Sequence, residues 1–240
     1  MGGLRMREQL LRGLIALGIP NPEAGAQTLA HYGSLLLEQN KVMNLTAITE
    51  PSQVVSLHFM DSAALLGIAD FRGKSVVDVG TGAGLPGLPL RILEPTLSLT
   101  LLDSLAKRVH WLQTVCDTLG LEGVSCVHGR AEELSLTPTY RDCFDIATSR
   151  AVAPLRLLCE LCLPLVAPGG VFLAMKSTEC EQEVVDAADA IALLGGALLP
   201  IADYTVEGTD IMHRVIPIQK RSPTPPGYPR RWARMQKAPL

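Results

Sequence analysis

The stretch from Val76 to Leu90, VVDVGTGAGLPGLPL, constrains the fold more than any other part of the chain. A short apolar run meets four glycines within eight residues, and an apolar run resumes beyond them. This pattern predicts a strand, SVVDV, then a tight turn, then a helix beginning at Leu85. Gly80, Gly82 and Gly84 let the backbone turn and approach a ligand, and Gly87 allows close helix-to-strand packing. No Lys followed by Ser or Thr comes after the glycines, so the turn is not a phosphate-cradling Walker loop.

Similar units repeat downstream. LSLTLLD, VSCVHG, FDIATS and GVFLAMK are short apolar runs, separated by the helical patterns LPLRILE, AKRVHWLQTVCDTLG, APLRLLCELCLPLV and EQEVVDAADAIALLG. Continuous apolar strands alternating with helices predict a mostly parallel α/β sheet covered on both faces. YTVEG and IMHRVIPIQK, linked through Gly208 to Asp210, predict a hairpin that makes one edge antiparallel.

Residues 1–70 read as a helical extension, with Asn21 as N-cap and Pro22 at the first helical position of one helix. A later helical segment runs from Pro51 to a stop at Gly67. Residues 71–219 form the expected core and residues 220–240 a basic, proline-rich tail. The 240-residue chain is 48% hydrophobic, enough for a substantial core. It lacks a long charge-free apolar run and a signal-peptide pattern at its start, so a cytoplasmic protein without a membrane partner is expected. Of the six cysteines only Cys159 and Cys162 form a CxxC, and they lie in an apolar helical pattern that reads as packing and not as a metal site.

The net charge of −3 is unevenly spread. The tail holds Lys220, Arg221, Arg230, Arg231, Arg234 and Lys237 without an acid, leaving −9 on residues 1–219. Such an end suits a polyanion, or serves as a solubilising, partly disordered tail.

Asp78 bears on the ligand. Gly82, Gly84 and Gly87 match G-x-G-x-x-G, and Asp103, about 20 residues on, would suit the ribose of NAD. A dinucleotide, however, places its pyrophosphate near the first helix N-terminus, where the Asp78 carboxylate is unfavourable. S-adenosylmethionine has no phosphate and carries positive charge, so Asp78 favours it over NAD, with a purely structural loop as the third reading. Asp103 keeps the ribose role with either ligand. In HGRAEEL, Ala131 can pack near a flat base, and Glu132 or Glu133 can take an amino group or simply cap a helix. Arg150, in ATSRAVAPL, lacks acidic sequence neighbours and either faces a substrate or holds the loop.

The phrases NLTAI (44–48), HFMDS (58–62), DVGTGAGLPGLPL (78–90), LLDSLAKRVHWL (101–112) and SRAVAPL (149–155) together resemble one family. It is the bacterial 16S ribosomal RNA guanine-N7 methyltransferases, long called glucose-inhibited division protein B. The resemblance implies a Rossmann-like class I S-adenosylmethionine-dependent methyltransferase with a seven-stranded sheet, acting on N7 of guanine 527 in the 530 loop. The substrate it implies is 16S rRNA, within a small-subunit particle or assembly intermediate, and the enzyme is expected to be a monomer. By position, Asp78, Gly80, Gly82, Gly84 and Leu85 fall in the cofactor loop, and Asp103, Ser104 and Leu105 at the ribose and adenine edge. Ala131 and Glu132 match the adenine-contacting pair, and Arg150 the cofactor-side arginine. His58 and Asp61 fall beside the active-site mouth and, with Arg150, are the catalytic candidates.

Guanine N7 already carries an in-plane lone pair, so its methylation needs no base, and Asp61 is expected to stabilise the ring as it becomes positive. Lys107, Arg108, Lys176, Arg230, Arg231, Arg234 and Lys237 are the RNA-binding candidates. Two departures from the family stand out. Ser177 follows Lys176 where a glycine is usual, and Ala233, Arg234 and Met235, beside an unusual Trp232, replace a Gly-Thr-Pro-like turn. Trp232 either stacks on a base or packs against the body. Methylation of another RNA site, or RNA binding by a non-catalytic scaffold of the same fold, are the alternatives.

Overall fold

A computed structural model describes residues 2–240. Helices α1 (Gly2–Ala16) and α2 (Pro22–Met43) open the chain. A helical stretch over residues 51–67 follows, made of α3 (Pro51–Val54), a wide π turn over Val55–Met60, α4 (Asp61–Ala63) and a 3-10 turn over Ala64–Gly67. Asn21 stands at the N-cap position of α2, but its backbone is left-handed (φ 50°) and its side chain makes no capping bond. Pro22, at the first helical position, has no N–H left to satisfy there.

The alternation then begins: β1 (Ser75–Val79), α5 (Gly87–Leu93), β2 (Ser98–Asp103), α6 (Ala106–Leu119), β3 (Val124–His128) and α7 (Ala131–Leu134). It continues through β4 (Phe144–Arg150), α8 (Leu155–Cys162), β5 (Val166–Ser177), α9 (Glu181–Asp186) and α10 (Ala188–Leu193). Strands β6 (Gly196–Leu198), β7 (Ala202–Thr205) and β8 (Met212–Lys220) and a terminal helix, α11 (Trp232–Lys237), complete the chain. Helix α5 starts two residues after Leu85, because the residue before a proline is driven out of the helical region and Pro86 follows Leu85. Among the described residues no helix is long and apolar enough to cross a membrane.

The sheet runs β3-β2-β1-β4-β5-β8-β6, and β7 also pairs with β8. The first five strands are parallel, whereas β8 is antiparallel to β5 and to both strands on its far side. Short β6 and β7 bind opposite ends of β8 and so share one position, giving eight strands in seven places. The expected hairpin is β7–β8, and the antiparallel strand at its centre lies one place in from the edge.

The pleat explains why these strands are apolar throughout. Val76, Leu99, Ile146, Leu173 and Val215 enter the core built with α1, α2, α5 and α6, while Val77, Leu102, Ala147, Phe172 and Ile216 enter the core under α8 and α10. Cys159 and Cys162 are buried in the second core, as small apolar residues.

The tail is not a loose strand of charge. Arg141 donates to the carbonyls of Thr224 (2.7 Å) and Tyr228 (2.9 Å), and Met235 is fully buried. Lys220 is itself buried and bonds to Asp142 and Thr224. Arg230 donates to Glu160 through its backbone N–H (2.8 Å), Nε (2.8 Å) and Nη2 (2.6 Å). Arg230 is therefore removed from the set of RNA-facing cations, because buried Glu160 requires a partner. Arg221, Arg231, Arg234 and Lys237 remain exposed.

Loss of one partner of a buried ion pair strands the other, so Arg230→Ala is expected to cost about 3–5 kcal/mol. Arg231→Ala, one residue on and exposed, is expected to stay within about 0.5 kcal/mol. Urea unfolding of the two variants checks this, and equal midpoints would contradict the anchoring role.

Candidate active site

The glycine turn is organised from below by Asp78. Its fully buried carboxylate accepts hydrogen bonds from Thr81 Oγ1 (2.6 Å), the Gly87 N–H (3.0 Å) and Thr148 Oγ1 (3.1 Å). Burial raises its pKa, and these three donors and Arg150 oppose the rise. Gly87 opens α5, so the place where a helix would receive a pyrophosphate is already filled by the protein's own carboxylate. Asp78 thus disfavours a dinucleotide, as its sequence position suggested, but by occupying the helix N-terminus. It lines none of the cavities described below and shapes the loop instead of facing a ligand's charge.

A Cβ on Gly87 would lie 2.7 Å from Leu101 and 2.9 Å from the Asp78 carboxylate, so only glycine keeps this contact. Gly80 (φ 69°) marks the open side of the turn, lying between two cavities. Gly84 lines neither cavity. Its missing side chain makes room for Leu88 and Leu112, which corrects its assignment to the ligand surface. From the N-terminal helices, the buried Tyr32 hydroxyl donates to the Ala83 carbonyl and fixes the outer part of the turn.

The first cavity, about 260 Å³, is lined by Gly80, Asp103, Ser104, Ala131, Glu132 and Trp232 among others. The second, about 480 Å³, shares Gly80, Asp103 and Ser104 and adds Thr46, His58, Gly82, Leu85, Leu105, Arg108 and Arg150. Together they form a trough over the carboxyl ends of β1, β2 and β4, where the strand order reverses and open α/β sheets bind ligands. Asp103 lies in both. Its oxygens accept the Gly82 and Leu105 N–H groups, each at 2.9 Å, with Arg108 3.6 Å away. Each oxygen keeps a lone pair for a ribose hydroxyl. Ala131 and Glu132 are buried in the first cavity, whereas Glu133 is solvated. A small side chain beside two carboxylates suits an adenosyl group, with acceptors for its hydroxyls and exocyclic amine, and the occupied helix N-terminus leaves no seat there for a pyrophosphate.

The second cavity adjoins a third, about 610 Å³, through His58, Arg150 and Ala151. Arg150 is the joint between them. It donates to the Leu57 carbonyl (3.0 Å) and Asp61 Oδ2 (2.9 Å), and its Nη2 lies 3.2 Å from His58 Nδ1. The acid that its sequence neighbourhood lacks is therefore supplied by tertiary folding. Asp61 Oδ1 also accepts from the Tyr204 hydroxyl (2.6 Å) and His213 Nδ1 (2.7 Å). With both oxygens engaged and Arg150 beside it, Asp61 is not free to neutralise a methylated ring, which corrects that expectation.

His58 Nδ1 lies between the Arg150 guanidinium (3.2 Å) and the Leu57 carbonyl (3.1 Å), and its Nε2 lies 2.8 Å from Thr46 Oγ1. Burial, aided by Arg150, lowers the His58 pKa to about 4. His58 is a neutral structural link and not a proton carrier.

Lys176 donates to the Ala153 carbonyl (2.8 Å) and Glu183 (2.7 Å), and Glu183 also accepts the Leu155 N–H (2.8 Å). This bridge holds the loop after β4, so Lys176 is a brace whose charge is already paired. Lys107 is exposed and Arg108 half-buried, at the rim of the trough. Thr46, Tyr204 and His213 carry no sequence signal that marks them for the site. His213 sits in an ordinary strand pattern, and only the β7–β8 register brings it opposite Tyr204.

The fold and trough define a Rossmann-like methyltransferase. The solved structure of TrmN from Thermus thermophilus matches with a TM-score of 0.50 at 22% identity, covering 69% of this chain and 53% of that one. A chain from the complex of the Haloferax volcanii Trm112 methyltransferase activator with a methyltransferase gives 0.56 at 15% identity, covering 78% and 98%. At the sequence level, residues 25–208 match the family model described as rRNA small subunit methyltransferase G. The chain belongs to this family. Its relatives named ribosomal RNA small subunit methyltransferase G include one from Clostridium beijerinckii, 43% identical, with 87% of this chain and 88% of the relative covered. Another, from Acetivibrio thermocellus, is 40% identical, with 99% and 98% covered.

Asp103→Ala removes a charged acceptor from the trough and should weaken S-adenosylhomocysteine binding about 10- to 100-fold, as hydrogen bonds to ionised groups are worth about 1.5–3 kcal/mol. Calorimetric titration, with thermal unfolding alongside, measures it.

The Asp61 network also makes stability depend on pH. The Asp61 hydrogen bond raises the His213 pKa against partial burial. For Asp61, burial acts upward but bonds from His213 and Tyr204 and the charge of Arg150 leave its pKa lowered. The pair therefore stabilises the fold between these two values and fades as pH rises through the raised histidine pKa. His213→Gln should cost more melting temperature near pH 6 than near pH 9, because unfolded histidine titrates at about 6.5. A constant difference across that range would contradict the pairing.

Proposed function

We propose that the chain transfers a methyl group from S-adenosylmethionine to N7 of guanine 527 in the 530 loop of 16S rRNA, with a small-subunit particle or assembly intermediate as substrate. Family membership makes the chain an S-adenosylmethionine-dependent rRNA methyltransferase. The proposal adds the target atom and its position, the particle, a monomeric state and action in the cytoplasm. It also adds the division of labour into a helical extension (1–70), a methyltransferase core (71–219) and a basic tail (220–240).

The observation that carries the reading is the trough. Its Asp103 and Ala131 side would take the adenosyl group, and its Arg150 side opens into the further cavity beyond Ala151. When bound, S-adenosylmethionine supplies a methyl group on a positively charged sulfur, ready for a lone pair. N7 of guanine presents such a pair without losing a proton, so the protein need only align the groups and exclude water. The site fits that demand: His58 is held neutral, Asp61 is fully engaged, and Arg150 keeps the wall between the cavities rigid. In this reading Gly80, Gly82, Leu85, Asp103, Ser104, Leu105, Ala131 and Glu132 line the cofactor side, with Asp78 beneath the loop.

N7 lies on the major-groove edge, which an A-form helix buries, so the base is presented from a loop. Lys107, Arg108, Arg231, Arg234 and Lys237 are the cations available to its phosphates.

The test is transfer of labelled methyl to small subunits that lack the modification, with the labelled nucleotide mapped and Asp103→Ala as control. Label on N7 of guanine 527 is expected, and robust label at another position would overturn the assignment. Replacing Arg231, Arg234 and Lys237 together by alanine is expected to weaken RNA binding. It should also lower the salt dependence by about 2 in log–log slope, since each phosphate neutralised by a cation contributes about 0.7–0.9. An unchanged slope would remove α11 from the RNA surface.

A further inference from the structure

We infer that Trp232 is a cofactor-positioning residue: its indole forms the outer wall of the adenine subsite and makes the C-terminal segment part of the cofactor site. The inference rests on the placement of the adenosyl group beside Asp103 and Ala131.

The cavity at Ala131 takes its lining from the end of β1 and the turn after it, the end of β2, the turn after β3 with the start of α7, the loop after β4 and helix α8. Trp232 is its one lining residue from beyond α8. The indole is half-buried against the core cluster that contains Ala131 and Leu161. Its backbone is fastened on both sides. Arg230, two residues before, makes three bonds to buried Glu160, and Met235, three residues after, is fully buried. Such anchoring fixes a wall and not a mobile flap.

The chemistry of the cavity selects its occupant. Apart from Trp232 the apolar lining is aliphatic, including Leu102, Val152 and Leu161, so the indole supplies the flat aromatic surface that a purine prefers. Asp103 and Glu132 face the same space, with Arg130 on the same wall 3.6 Å from Glu132, and the two carboxylates suit ribose hydroxyls and an exocyclic amine. The same segment carries exposed Arg231, Arg234 and Lys237, so it holds both a wall of the cofactor site and three of the exposed cations.

The experiment uses the full chain, with S-adenosylhomocysteine as probe, followed by calorimetry and by tryptophan emission. The only other tryptophan, Trp111, is buried in the first core. Saturating probe is expected to change the emission of the wild-type chain, and the change should vanish in Trp232→Phe. Trp232→Ala should raise the dissociation constant about tenfold, the scale of a lost base–aromatic stack. Trp232→Phe, which keeps a ring, should stay within about twofold.

If Trp232 only packs against the body, Trp232→Ala lowers the melting temperature and leaves the dissociation constant unchanged, which overturns the proposal. Should that variant not fold, Trp232→Leu preserves apolar bulk without the ring, and wild-type affinity in it overturns the proposal equally. A wild-type chain that does not bind the probe overturns the cofactor placement itself, and this inference with it.

Discussion

The Arg150–Asp61 ion pair is the contact on which the arrangement of the site turns. Arg150 ends β4, Asp61 begins α4 in the helical region before the sheet, and the same carboxylate is reached by Tyr204 of β7 and His213 of β8. Three remote parts of the chain thus meet at one buried charge. Removing such a charge from water is costly, and the structure offsets that cost by surrounding both carboxylate oxygens with donors. The network then fixes the wall between the second and third cavities, because its members cannot move separately without leaving a buried ionised group unpaired.

A second buried carboxylate does similar work under the glycine turn. Asp78 holds Thr81, Thr148 and the first N–H of α5, while Tyr32 from α2 grips the turn at Ala83. The helical extension is consequently part of how the ligand loop is held. Its side chains Leu10, Leu14, Leu29 and Leu36 belong to the same core as Val76 and Leu99 of the sheet. The π turn over Val55–Met60 contains His58 and leads directly into Asp61, and such widened turns recur at functional sites because they re-aim side chains out of ordinary helical spacing.

The tail joins two tasks that its composition leaves undivided. Six cations in a proline-rich segment look alike on charge alone, yet Lys220 and Arg230 neutralise Asp142 and Glu160 inside the protein. Those pairings dock the segment on the body beside the trough. The cations left exposed are therefore held at a defined place, which a flexible polyelectrolyte would not achieve.

The sequence by itself determined the alternation of strands and helices, the glycine turn after β1 and the acid at the end of β2. These are local matters: apolar periodicity, backbone freedom and chain order specify them within one strand–helix unit. It also identified the family through five phrases that span the site. The fates of Asp61, Asp78, Gly84, Lys176 and Arg230 were decided only by tertiary structure. Each looked available to a ligand or to RNA, and each is spent on a partner elsewhere in the chain or on close packing within the fold. Whether a charge is free depends on what folding places within about 3 Å of it, the reach of a hydrogen bond. No spacing along the chain records that distance when the partners lie 70 or 89 residues apart, as they do for Glu160 with Arg230 and Asp61 with Arg150.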